Sequence, residues 1–146
     1  DASKRVFIAD AFEQTLHHFP NDDYLKLNYI DFLSENDCKK AKKRCKNMLK
    51  QPHDRNNLLL LDRYAALEMS MGNHDNAKKV YQTALAMCKE LPVDALGAHA
   101  TLCRHYAEFC LDHDDVNGAA SVLADFALSD DYQQPPPPQQ QQQQQH

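Results

Sequence analysis

Apolar residues recur along this chain with the 3.6-residue period of a helix almost everywhere in residues 1–132. Val6, Ala9, Phe12, Leu16 and Phe19 form one stripe, which stops at Pro20. Leu25, Tyr29, Phe32 and Leu33 form a second, opened by the capping run Asn21-Asp22-Asp23. Cys38, Ala41, Cys45, Met48 and Leu49 form a third that ends before Pro52. Leu58, Leu61, Tyr64, Ala65 and Glu68 line a fourth, which closes at Gly72-Asn73. Ala77, Val80, Tyr81, Ala84, Leu85 and Cys88 line a fifth, with Pro92 just beyond it. Leu102, Tyr106, Phe109 and Cys110 line a sixth after Asp94, and Ala119, Val122, Leu123, Phe126 and Ala127 a seventh behind the caps Asp114-Asp115. Seven helices with short loops predict an all-α fold, one helix hairpin after another.

These stripes repeat. Ala41, Cys45, Met48 and Leu49 recur 36 residues later as Ala77, Tyr81, Ala84 and Leu85, and after a further 42 as Ala119, Leu123, Phe126 and Ala127. Ile8, Phe12, Thr15 and Leu16 make a weaker copy 33 residues upstream of the first. The preceding helices repeat as well, with Tyr29, Tyr64 and Tyr106 separated by 35 and 42. A small residue followed by larger ones four and seven positions later suits paired antiparallel helices, because the small side chain lets the backbones approach and the others fill the groove. Two-helix periods of this length predict an α-solenoid of tetratricopeptide-like hairpins. We expect about three and a half hairpins over residues 1–132, right-handed, beginning inside the second helix of a truncated repeat. An uncapped first edge leads to the further expectation that the protein continues N-terminally. Residues 133–146 (Gln-Gln, four Pro, seven Gln, His) contain nothing that builds a core and are expected to be a disordered, solvated tail with a polyproline II tendency.

Composition narrows the class. Three glycines in 146 residues disfavour an all-β chain, and 42% apolar side chains suffice for one domain without staples. The longest apolar run, 58–61, is far short of the roughly 20 residues of a membrane span. Five cysteines (Cys38, Cys45, Cys88, Cys103, Cys110) without an export pattern point to a reducing compartment and to packed thiols rather than disulfides. Net charge is −5, yet Lys39, Lys40, Lys42, Lys43, Arg44, Lys46 and Lys50 crowd one predicted helix over 37–50. The remaining sequence carries nine basic against twenty acidic residues once Asp37 is counted with the run. The chain as a whole is therefore no nucleic-acid binder, whereas this helix is a candidate contact for RNA phosphates or an acidic partner. No aromatic side chain interleaves it, so any RNA contact would be tolerant of sequence.

Motifs for chemistry are missing. The sequence has no Gly-rich phosphate loop, no Gly-x-Ser-x-Gly elbow and no His-Glu-x-x-His, and we expect neither an enzyme nor a cofactor nor a small-molecule substrate. His99, Cys103, Cys110 and His113 share one helical face, but they span about 20 Å of helix and no single tetrahedral metal could use all four. We expect packed cysteines there and no metal. His17-His18 falls at a helix C-terminus, where imidazolium complements the dipole.

Leu61, Tyr64 and Glu68 resemble the first helix of a half-a-tetratricopeptide (HAT) repeat, aromatic-x-x-Tyr-x-x-x-Glu, with Leu at the aromatic position. The stretch from the lysine-rich helix through Arg55-Asn56-Asn57-Leu58-Leu59-Leu60 to Ala66-Leu67-Glu68, Gly72-Asn73 and Ala77-Lys78-Lys79-Val80 resembles the nuclear RNAi-defective-two family over about residues 37–90. Leu61 stands where that family tends to have Trp. The resemblance implies a nucleus-located, HAT-repeat scaffold for protein–protein interaction in RNA processing and RNA-mediated gene silencing (RNA interference), with splicing factors or the exosome-associated RNA helicase as partners. A general tetratricopeptide-like peptide binder of the chaperone-adaptor type, and direct RNA binding through 37–50, stand as alternatives. Tyr29, Ala41, Leu61, Tyr64, Glu68, Ala77, Tyr81, Ala84, Leu85, Tyr106 and Ala119 are the expected scaffold positions. Ala77→Arg should abolish the cooperative thermal transition seen by circular dichroism, because a long charged side chain cannot enter a helix contact of this kind. A variant as helical and heat-resistant as the parent would refute the assignment.

Overall fold

The computed structural model describes residues 1–90 and 95–129. Seven helices and no strand occur among the described residues: α1 (Ala2–His18), α2 (Asp23–Ser34), α3 (Cys38–Leu49), α4 (Leu58–Ser70), α5 (His74–Cys88), α6 (Leu96–Asp112) and α7 (Val116–Ala127). None of them is long and apolar enough to cross a membrane. The expected tail, 133–146, lies outside the described residues.

Polar side chains at the helix starts accept from the otherwise unpartnered first-turn amides. Asp22 Oδ1 accepts from Leu25 N at 2.9 Å, Asp37 from Lys40 N at 3.0 Å, Asn57 from Leu60 N at 3.3 Å and Asp115 from Gly118 N at 2.8 Å. Helices α2 and α3, α4 and α5, and α6 and α7 pack as successive antiparallel pairs. Each pair's first helix also touches the first helix of the next, α2 on α4 and α4 on α6, while α1 lies against α2. Two clusters of buried side chains result. One joins Leu16, Tyr29, Ile30, Leu33, Ala41, Cys45, Met48, Leu60 and Leu67. The other runs from Leu58 and Ala65 through Ala77, Tyr81 and Ala84 to Tyr106, Phe109, Ala119 and Val122.

Helix α4 serves both clusters and is pinned from both sides by neighbouring residues. Arg63 Nη1 lies 3.1 Å from Asp31 of α2, and Asp62 accepts from His105 Nδ1 of α6 at 2.8 Å. Burial pushes the Asp62 carboxyl upward, against the charge and hydrogen bond of His105. The small residues hold the contact positions: Ala41, Ala77 and Ala84 are fully buried, and Ala119 nearly so. Of the remaining positions expected in the scaffold, Tyr29, Glu68, Tyr81 and Tyr106 are buried, whereas Leu61, Tyr64 and Leu85 are half-buried beside the core.

The turns after α4 and α6 are built alike. Asn73 N donates to Glu68 O and Asp115 N to Cys110 O, both at 2.8 Å, bonds that close a helix end through one left-handed residue. That residue is Gly72 (φ 77°) in the first turn and Asp114 (φ 58°) in the second. An L side chain in this region is strained where glycine is not. Asp114→Gly should therefore raise stability by about 0.5–1 kcal/mol and Gly72→Ala lower it by about 1 kcal/mol, both read from urea unfolding midpoints at unchanged slope.

Candidate functional site

Helix α3 carries the densest charge of the molecule. Its buried stripe, Ala41, Cys45 and Met48, faces α2 and α4. The helix and its C-cap residue Lys50 cannot hide seven basic side chains on the remaining arc, and the structure divides them by the direction each leaves the helix. Lys42 Nζ reaches Glu68 Oε1 of α4 at 2.7 Å, and Asn73 Nδ2 donates to the other oxygen, Oε2, also at 2.7 Å. Burial raises the Glu68 carboxyl, but the hydrogen bonds from Lys42, Asn73 and Tyr64 and the Lys42 charge prevail and hold it below its ordinary value. Arg44 forms a forked pair with Glu13 of α1, Nε and Nη2 each 2.8 Å from a carboxylate oxygen. Its guanidinium carbon also lies 5.9 Å from the centre of the Tyr29 ring. Burial, together with the neighbouring Glu13 carboxylate, pushes the Tyr29 hydroxyl up to about 12.

Two of the seven basic residues are thus committed within the fold. Lys39, Lys43, Lys46 and Lys50 are exposed, and their spacing of four, three and four residues puts them on one straight ridge opposite the buried stripe. Among the described residues no carboxylate lies within 4.0 Å of any of the four. Lys40, also exposed, flanks the ridge on the Glu13 side. Like charges at this spacing destabilise a helix by a few tenths of a kcal/mol per pair. The ridge therefore offers four uncompensated charges along about 16 Å.

A second polar constellation was not singled out from the sequence. Lys26 is 3% exposed, and its Nζ lies 2.7 Å from Asp54 Oδ1 and 3.5 Å from Asp23 Oδ1. Asn57 Nδ2 bridges the same two carboxylates at 2.8 and 3.2 Å, and His53 Nε2 lies 3.3 Å from Asp54 Oδ2. The cluster ties the 50–57 turn to the start of α2 and lines an open cleft of about 580 Å³. A signal for it existed: Lys26 occupies the register of Leu61, three residues before the repeated Tyr, where an apolar residue is expected. A lysine at a core register needs a buried carboxylate.

The four metal candidates do not converge. Cys103 and Cys110 are buried thiols, and burial pushes Cys103 up to about 12 and Cys110 in the same direction. His113 Nδ1 bonds to Phe109 O at 2.8 Å, and its ring packs on the Phe109 ring. Among the described residues no group of three or more His, Cys, Asp or Glu is arranged to hold a metal. Cys45 and Cys88 are likewise buried, held at about 12 and 11, and so carry little of the thiolate that nucleophilic chemistry needs. Cys38 is half-buried.

No family model matches the chain, and no solved structure matches it. Over 49 residues it is 51% identical to the nuclear exosome regulator NRDE2 of Mus musculus and 49% identical to that of Homo sapiens. The matched stretch is 34% of this chain, which spans only 4% of the length of either relative. This local similarity is a weak link to that family.

The two kinds of basic residue separate experimentally. The Lys43→Glu/Lys46→Glu variant should unfold within about 0.5 kcal/mol of the parent, whereas Glu68→Gln, which leaves Lys42 and Asn73 without their shared anion, should lose about 2 kcal/mol at pH 7. Because the folded Glu68 carboxyl lies below its ordinary 4.5, its contribution is fully present above that pH and fades as the pH falls through the folded value. The gap between parent and Glu68→Gln in thermal melts should accordingly narrow below pH 4.5; a gap constant down to pH 3 would contradict the pairing.

Proposed function

We propose that this chain is a non-enzymatic, HAT-type helical-repeat scaffold of nuclear RNA processing, acting in regulation of the nuclear exosome by binding other proteins. The observation that carries this reading is the identity of about half over 49 residues to proteins named for that role. The packing fits an α-solenoid: consecutive hairpins, first helices touching first helices, and small residues at repeating contact positions. Such surfaces recognise partners without a catalytic pocket, and the clefts among the described residues are open. Splicing factors or the exosome-associated helicase are the partners in this reading, with a link to RNA silencing and a nuclear location.

The ridge of Lys39, Lys43, Lys46 and Lys50 supports a second reading, direct RNA contact through phosphates. The chaperone-adaptor alternative has less behind it, since the basic residues gather on one second helix instead of recurring across the first helices that would form a carboxylate clamp.

The immobilised chain, incubated with nuclear extract, should retain exosome-associated or splicing proteins, and nuclease treatment should leave them bound. Loss of the captured proteins on nuclease treatment, restored by added RNA and abolished by Lys43→Glu/Lys46→Glu, would favour the RNA reading. Capture of chaperones alone would contradict the proposal.

A further inference from the structure

The four lysines of the α3 ridge do not follow from the repeat. Thirty-six residues on, the same outward register of α5 holds Asp75, Lys79, Gln82 and Ala86, and 42 beyond that, on α7, it holds Asn117, Ser121, Ala124 and Leu128. Thirty-three residues back, on α1, it holds Val6, Asp10, Glu13 and His17. All of these positions are exposed, as Lys39, Lys43, Lys46 and Lys50 are. The outward face of this stack therefore places little demand on residue type. Among the described helices only α3 fills it with a single charge, against the repulsion between lysines on successive turns.

An anionic partner offsets that repulsion, and the fold already shows the form such a partner takes. On one flank of α3, Arg44 closes on Glu13, which α1 carries; on the other, Lys42 closes on Glu68, which α4 carries. Both are carboxylates borne by a helix lying beside α3. The ridge projects between these flanks, and its steps of four, three and four residues are the heptad rhythm that a neighbouring helix follows along a shared seam. A line of carboxylates on a third helix would meet Lys39, Lys43, Lys46 and Lys50 in turn.

RNA contact, the second reading of this ridge, fits its shape less well. Single strands are held in basic grooves where aromatic side chains stack the bases, whereas the ridge stands out from the surface and α3 has no aromatic residue. A duplex would spread its phosphates well beyond a ridge one helix wide, into the field of a chain that is otherwise strongly acidic. A second copy does not supply the seam either: among the described helices none carries more than two carboxylates along one such line.

We propose that Lys39, Lys43, Lys46 and Lys50 form a docking ridge for an α-helix of a partner protein that carries Glu or Asp in the matching four-three-four spacing. Only the choice of a protein as occupant rests on the scaffold reading; the ridge itself stands on its register and its charge. Docking is steered by charge and sensitive to salt, and it draws its specificity from the match of spacing.

The probe is a fluorescent, alanine-based helical peptide with four Glu in the four-three-four spacing, titrated with the full chain at about 20 mM salt, where exposed charges are weakly screened. Its anisotropy should saturate at one peptide per chain with a midpoint below about 1 mM. Lys43→Glu/Lys46→Glu should weaken binding at least about tenfold while melting like the parent, and a peptide of the same composition with its Glu spread round the helix should bind at least about fivefold more weakly. Four results would overturn the proposal: no saturation by about 1 mM, unchanged binding by Lys43→Glu/Lys46→Glu, equal binding of the two peptides, or tighter binding of a uridine oligonucleotide of equal charge, which would make RNA the occupant. None of these bears on the capture of exosome-associated or splicing proteins, by which the scaffold reading stands or falls.

Discussion

Everything in this molecule depends on how closely two helices can approach at three alanines. Ala41, Ala77 and Ala119 leave only a methyl group between backbones, so that neighbours such as Cys45, Met48, Tyr81 and Val122 are buried in the core. From that contact follow the antiparallel pairs, the contact of first helix with first helix and the two clusters that meet at α4. Electrostatics then adjusts the stack. Asp62 and Arg63, adjacent on α4, reach to opposite neighbours, while Lys42 and Arg44 on α3 bind carboxylates of α4 and α1.

The same contact explains where the surface is unusual. In a stack of hairpins the interior edges are occupied and only the ends and the outward ridges are available. The outward ridge of α3 is positive in an otherwise acidic chain. Charge of this kind attracts a partner over distance, an attraction that salt weakens.

Much of the helical layout was legible in the sequence because short-range rules govern it. The apolar stripes and the caps Asp22 and Asp115 mark helices without reference to the rest of the chain. Which basic residues of α3 turn inward was not legible. Lys42 and Lys43 are neighbours in sequence, and only the position of Glu68 across the hairpin distinguishes them. The Lys26 cluster was missed for the same reason: its partner Asp54 lies 28 residues away in a turn that carries no stripe. That the lysine ridge is particular to α3 needed both levels, since the sequence supplies the register and the structure shows which positions face outward.

Amide hydrogen exchange read by mass spectrometry tests the central claim, that α4 couples two hairpin clusters into one stack. The account predicts that amides of α4 are the slowest to exchange and open together with those of α3 and α5, while α1 and the end of α7 exchange faster. Exchange of α4 at the rate of the 50–57 turn, or protection confined to one hairpin, would contradict it.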